Sequence, residues 1–119
     1  MTVDVKNREG VVIIAVTGEI VGSDALALKH VGDEQIDATE NDLKIILDYT
    51  KVSYMDSSGL GVTVAFYTHV ERKGGRIVLL MNEWKTDGPA PFNSFIVMAK
   101  MSTLYDFYHS EDEAIASFS

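Results

Sequence analysis

The chain contains no cysteine, which excludes disulfide bonds, thiolate catalysis and thiolate metal sites together. It also lacks a long hydrophobic run. The longest, Val11 to Val16, falls far short of the roughly 20 residues that cross a bilayer as a helix. The opening residues Met1-Thr2-Val3-Asp4-Val5-Lys6 have neither the basic flank nor the apolar stretch of a signal peptide, so a cytoplasmic location is expected. Basic residues are few, 10 against 18 acidic ones, for a formal charge of −8. Such a surface repels phosphate backbones and anionic headgroups, so no nucleic acid and no direct membrane binding is expected. It keeps a small protein soluble, and it would also suit a protein partner with a basic docking face. No repeat or low-complexity segment interrupts the 119 residues, a length suited to one domain, 1–119, with one core.

What is present is an alternation of strand and helix patterns. Val3 to Lys6 alternates weakly, and Asn7-Arg8-Glu9-Gly10 reads as a turn. The β-branched run Val11 to Thr17 follows, suited to a strand buried on both faces, and Gly18 interrupts it. These two segments form an expected N-terminal hairpin. Ser23 or Asp24 can cap a helix in which Leu28, Val31 and Gln35 follow one side with Ala25 and Gly32, and the polar stretch Asp37 to Asp42 closes it. Leu43 to Asp48 is a strand candidate that ends where the chain turns polar. Ser57 or Ser58 then caps a helix running to about Lys73. Leu60, Val64, Tyr67 or Thr68, and Glu71 trace one line along it, with Val62, Ala65 and Phe66 widening the apolar side. Gly74-Gly75 stops this helix, and Arg76 to Met81 reads as the next strand.

A turn-rich loop, Asn82 to Pro91, precedes a helix expected from Phe92 to Met101. Trp84 within the loop either covers an edge of the core or anchors a partner. Leu104 to Tyr108 suggests a last short strand, and Ser110 to Glu113 has the spacing of a capping box opening a terminal helix. Strands alternating with helices imply crossovers, hence an α/β fold with a mainly parallel sheet, made mixed by the antiparallel edge of the hairpin. The aromatics Phe92, Phe95, Tyr105, Phe107, Tyr108 and Phe118 either fill the core under the last helices or form a partner surface, a homodimer contact among the options.

Catalytic and metal constellations are sparse. His30, His69 and His109 sit on separate expected elements without ligand spacing, so no metal is expected. Ser57 is not in a Gly-x-Ser-x-Gly elbow and has no assignable base. Asp48 and Asp56 could both lie near the carboxyl end of the sheet as a paired acid and base. The alternative has Asp56 as a helix cap and Asp48 as a loop anchor. Gly59-Leu60-Gly61 lacks the fuller pattern of a nucleotide phosphate loop. The expectation is a binding protein with no cofactor, and not an enzyme.

The informative segment is Tyr54-Met55-Asp56-Ser57-Ser58-Gly59-Leu60-Gly61, which joins a strand to a helix start. Unpaired N–H groups and a partial positive charge collect at such a start. Ser57 is then either a plain helix cap or a hydroxyl at the mouth of an anion site, with Gly59 and Gly61 reducing bulk around it. The octapeptide resembles the signature of the STAS family, the domain shared by sulfate transporters and anti-sigma factor antagonists. Ile45 to Val52 and Thr17-Gly18-Glu19-Ile20 also resemble that family, and the order of elements is similar from about Val3 to Ser117. The resemblance implies a STAS-like fold, a small mixed β-sheet with helices packed chiefly on one side.

For function the resemblance implies an anti-sigma factor antagonist that works by partner switching. Unphosphorylated, such a protein binds an anti-sigma factor that is also a serine kinase. Phosphorylation releases it, and a serine phosphatase restores it. The matching position is Ser57, with Ser58 as second choice, and the partner surface would comprise Asp56, Ser57, Ser58, Gly59 and Leu60 with Glu19, Val21 and Asp24. The family often carries an acidic residue where this chain has Val21, and Asp24 follows one turn later. The alternative is a STAS protein that is never phosphorylated, serving as an accessory subunit of a transporter or as a scaffold in a sensory complex.

Overall fold

The computed structural model describes residues 1–81, 101 and 103–119. A five-stranded sheet runs in chain order, β1 (Thr2–Arg8), β2 (Val11–Ile20), β3 (Lys44–Met55), β4 (Arg76–Leu80) and β5 (Phe107–Tyr108). Only β1 is antiparallel to its neighbour. Helices α1 (Ser23–Ala38) and α2 (Ser57–Arg72) are the crossovers β2–α1–β3 and β3–α2–β4, and α3 (Glu111–Ala116) ends the chain. The expected mixed α/β sheet is the one observed. The hairpin closes through Glu9 and Gly10, both at positive φ (54° and 80°), the backbone a type I′ turn needs to match the twist of its strands.

The apolar runs of β2, β3 and β4 are continuous because both faces of the sheet are covered. On one face Ile14, Val16, Ile45, Leu47, Ile77 and Leu79 pack with Ala25, Leu28 and Ile36 of α1 and Phe66 and Val70 of α2. On the other, Val11, Ile13, Ile46, Val78 and Leu80 pack with Ala114 and Ile115 of α3. The two long helices thus share one side, as expected, and among the described residues only the short α3 covers the other. Among the described residues no helix is long and apolar enough to cross a membrane.

Several boundaries differ from the sequence reading. Gly18 does not end β2. It sits at φ 100°, and the β2–β3 register shifts between Ala15 and Thr17 and again between Gly18 and Glu19. These irregularities let the strand bend and continue to Ile20. β3 likewise does not stop at Asp48, because the extended β2 supplies a partner for its polar end: Thr17 faces Lys51 and Ile20 faces Met55. The buried line of α1 is Ala25, Leu28, Gly32 and Ile36, and that of α2 is Gly59, Thr63, Phe66 and Val70. Val31, Gln35 and Leu60 lie at the flanks, half-buried. The last strand is shorter than expected: Leu104 is helical and only Phe107–Tyr108 pairs with β4. Ser110 caps α3 as expected, accepting from the Glu113 N–H at 3.1 Å.

The aromatics that are described line the core or its edge. Tyr105 is buried and meets Tyr67 edge to face at 5.5 Å, while Phe118 lies under the Arg76 guanidinium at 5.1 Å. The loop with Trp84, and the helix expected from Phe92 apart from the helical Met101, lie outside the described residues.

Lys73, which follows α2, donates to the Ile36 and Thr39 carbonyls at the end of α1 at 2.7 and 3.0 Å. Helices α1 and α2 are fastened to each other at two further places along their length. His69 of α2 reaches back to α1, its Nδ1 3.0 Å from an Asp33 oxygen and its Nε2 2.9 Å from an Asp37 oxygen. Partial burial pushes the Asp33 carboxyl up, but hydrogen bonds from Lys29 and His69 outweigh it and hold the group below the ordinary carboxylate range. The second place is Gly32, where a methyl group would lie 2.3 Å from carbons of the Phe66 ring. Phe66 is 1% exposed and has no room to retreat. Gly32→Ala would gain about 1 kcal/mol of helix propensity but overpack the interface at a cost of about 1–3 kcal/mol. A net loss of about 1 kcal/mol is expected in urea unfolding, with partial recovery when Phe66→Leu is added. A Gly32→Ala protein as stable as the parent would show that the helices can part freely.

Candidate functional site

The candidate site is built where β2 and β3 end level with each other, Glu19 opposite Tyr54 and Ile20 opposite Met55. Two segments leave this end side by side, Val21-Gly22 into α1 and Asp56 into α2. The Asp56 N–H donates to the Ile20 carbonyl at 3.3 Å. The Asp56 carboxylate is shared between the two helix starts. One oxygen accepts the Gly59 N–H at 3.0 Å and caps α2, and the other accepts the Gly22 N–H at 3.1 Å. Gly22 is the residue that opens α1, at φ 52° with no side-chain cap. Capping of α1 by Ser23 or Asp24 and of α2 by Ser57 or Ser58 is therefore corrected. Both helix starts depend on Asp56, because its carboxylate has an oxygen for each amide. The hydrogen bonds from Gly59 and Gly22 hold the Asp56 carboxyl below the usual range.

Ser57 and Ser58 are the first two residues of α2, and both are exposed. Part of the donor set at this helix start is already in use. The Gly59 N–H is taken by Asp56, the Leu60 N–H donates to the Asp56 carbonyl at 3.0 Å, and the Ser58 amide also acts on the Asp56 carboxyl. A fixed carboxylate already occupies the place where the helix dipole favours an anion. A phosphate on Ser57 would stand beside that charge and face outward.

The glycines serve different ends from those expected. A side chain at Gly59 would strike the Met55 side chain at 2.3 Å and the Ile20 carbonyl at 2.7 Å, so this glycine lets α2 sit down on the strand ends. Around Gly61 there is open space. Leu60 packs its half-buried side chain on the core, Glu19 is exposed, and Val21 and Asp24 are half-buried along the adjoining turn. The segments that carry Glu19, Val21, Asp24 and Asp56 to Leu60 are thus brought to one end of the sheet.

A buried polar network lies beneath. The fully buried Tyr49 hydroxyl is 2.8 Å from Thr63 Oγ1, which donates to the Gly59 carbonyl at 2.9 Å. The Tyr105 hydroxyl donates to the Thr63 carbonyl at 2.6 Å. Burial pushes both phenols well above their ordinary range, so they stay neutral. The sequence reading missed Gly22, Tyr49, Thr63 and Tyr105 as supports. A glycine just before a helix start was a usable signal for Gly22, while the Tyr49–Thr63 pair is formed only by the crossover. Asp48 is not paired with Asp56: it accepts from the Thr50 N–H at 3.0 Å and from the Thr50 hydroxyl at 2.7 Å, the loop-anchor role. Among the described residues no cluster of three or more His, Asp or Glu could hold a metal ion.

The model of the STAS domain matches residues 2–114. The chain belongs to the STAS domain family. It is 24% identical over 115 residues to an anti-sigma F factor antagonist of Paenibacillus polymyxa, spanning 97% of this chain and 92% of that protein. Its fold is similar to the crystal structure of an anti-sigma factor antagonist from Mycobacterium paratuberculosis, with TM-score 0.77 and 21% identity over 98% of this chain and 92% of that one. It is also similar to the Bacillus cell fate determinant SpoIIAA in its phosphorylated form, with TM-score 0.67 and 21% identity over 99% and 100% of the two chains.

Within this STAS domain the double role of Asp56 is open to test. Asp56→Ser keeps one oxygen to cap α2 but cannot also reach Gly22, whereas Asp56→Ala removes both acceptors. Amide hydrogen exchange is expected to speed up at Gly22 alone in the first variant, and at Gly22 and Gly59 in the second. Unchanged exchange at Gly22 in both variants would mean that α1 does not depend on the carboxylate.

Proposed function

We propose that the chain is an anti-sigma factor antagonist acting by partner switching. Unphosphorylated, it binds an anti-sigma factor that is also a serine kinase. Phosphorylation at Ser57 releases it, and a serine phosphatase resets it. The observation that carries this reading is an exposed Ser57 at the first position of α2, immediately beside a carboxylate fixed by two amides. A phosphate adds about −1.5 to −2 charges. Next to Asp56, with the Gly59 amide already engaged, that charge is directed at whatever docks on Asp56 to Leu60 and the Glu19, Val21 and Asp24 segment. Repulsion and desolvation would then break docking while leaving the fold intact. The antagonist names of the relatives support the partner, and the role is that of a cytoplasmic binding protein rather than an enzyme.

Val21 favours a second reading. Its half-buried apolar side chain stands where the family often has an acidic residue, which fits a STAS protein that no kinase recognises, an accessory subunit of a transporter or a sensory scaffold. Incubation with an anti-sigma kinase and ATP, followed by mass-spectrometric mapping, separates the two. Phosphate on Ser57, its loss in Ser57→Ala, and at least tenfold weaker kinase binding by the phosphorylated form are expected. Phosphate on neither Ser57 nor Ser58 would overturn the switch and leave the second reading standing.

A further inference from the structure

The outer edge of the sheet is a second surface, well separated in the chain from the Asp56–Leu60 segment. Among the described residues β1 is the end strand, seven residues long, and all but Val3 are exposed. Its pairing with β2 is unbroken from Thr2 to Arg8, so no bulge bends the edge away, and it contains no proline. Hydrogen-bonded and non-hydrogen-bonded pairs alternate outward from the two-residue turn at Glu9-Gly10. Thr2, Asp4, Lys6 and Arg8 therefore spend their amides and carbonyls on β2, while Val3, Val5 and Asn7 turn theirs outward.

Side chains alternate as well. Val3 packs on the core beneath α1 and α2, and Asp4, Lys6 and Arg8 point to the opposite face. There Lys6 pairs with Glu111 at 2.8 Å and Arg8 with Asp112 at 2.7 Å. Asp4 is exposed and has no ion pair among the described residues.

We infer that this edge pairs with a second copy of the chain, β1 against β1 and antiparallel, about a two-fold axis at Val5. In that register Val3 faces Asn7 of the partner subunit and Val5 faces Val5 of the partner subunit, each pair meeting through outward-turned amides and carbonyls. Asp4 lies opposite Lys6 of the partner subunit, and the symmetry repeats the contact on the other side of the axis. The charge pattern selects this register over its neighbours. A slide of two residues one way puts Asp4 on Asp4 of the partner subunit. The other way sets Asp4 opposite Arg8 of the partner subunit twice but puts Lys6 on Lys6 of the partner subunit at the axis, so of these three registers only the Val5-centred one joins opposite charges without a like pair. The apolar Val5, 40% exposed in the single chain, becomes the centre of the contact, and two five-stranded sheets join as one.

The test is sedimentation velocity from low micromolar to near-millimolar protein, combined with charge reversal. Asp4→Lys sets like charges together twice and is expected to weaken dimerisation roughly tenfold. Adding Lys6→Asp restores the opposite pairing and is expected to return association close to the parent level. Amide exchange is a readout that needs no variant: Val3, Val5 and Asn7 should gain protection as concentration rises. A chain that stays monomeric throughout, a dimer indifferent to Asp4→Lys, a charge swap that fails to restore it, or outward amides that gain no protection would each overturn the proposal.

Discussion

Everything at the functional end of this domain depends on one carboxylate with two obligations. Asp56 accepts the first free amide of α1 through Gly22 and caps α2 through Gly59. Neither bond can form unless β2 and β3 end level, and they do so only because irregularities near Gly18 let β2 reach Ile20. The same requirement excludes a side chain at Gly59, which must pass close to Met55 and Ile20 for its amide to reach the cap. Strand length, a bend in β2, two glycines and the directions of two helices are thus tied to the position of two oxygen atoms.

That arrangement has an electrostatic result. The amides hold Asp56 ionised, so the start of α2 presents a fixed negative charge rather than the open anion site that a bare helix start would offer. Beneath it, the Tyr49–Thr63–Tyr105 network anchors the first turns of α2 to the core through buried, neutral hydroxyls. A turn held so firmly from below gives little to a new charge placed on Ser57. In the proposed partner switch the added energy would fall on the bound partner.

The fold was largely legible because its signals are local. β-branched runs marked β2, β3 and β4, Gly74-Gly75 marked the end of α2, and Ser110 with Glu113 marked the start of α3. The errors lie where tertiary partners override local pattern. Gly18 and the polar stretch after Asp48 look like strand ends, yet each strand supplies the other's continuation. The buried line of α1 was legible at Ala25, Leu28 and Gly32 and missed only Ile36, whereas that of α2 was misjudged because Gly59 and Thr63, poor hydrophobes, sit at closest approach, one against the strand ends and the other in a hydrogen-bonded network. At the site, Ser57 and Asp56 could be picked out from the octapeptide alone. Their relation could not be, since Asp56 Oδ2 and the Gly22 amide are 34 residues apart in sequence and meet only once the sheet exists.

The order of strands in the sheet is also their order in the chain. Each new strand therefore finds its neighbour already made, and no strand must be inserted between two that have closed. Loop-closure cost is confined to one crossover at a time. A chain emerging from the ribosome could lay down the hairpin, then β3 with α1, then β4 with α2, adding one edge at each step. The Asp56–Leu60 segment would take shape midway, when β3 docks, before the last strand and α3 arrive to cover the opposite face.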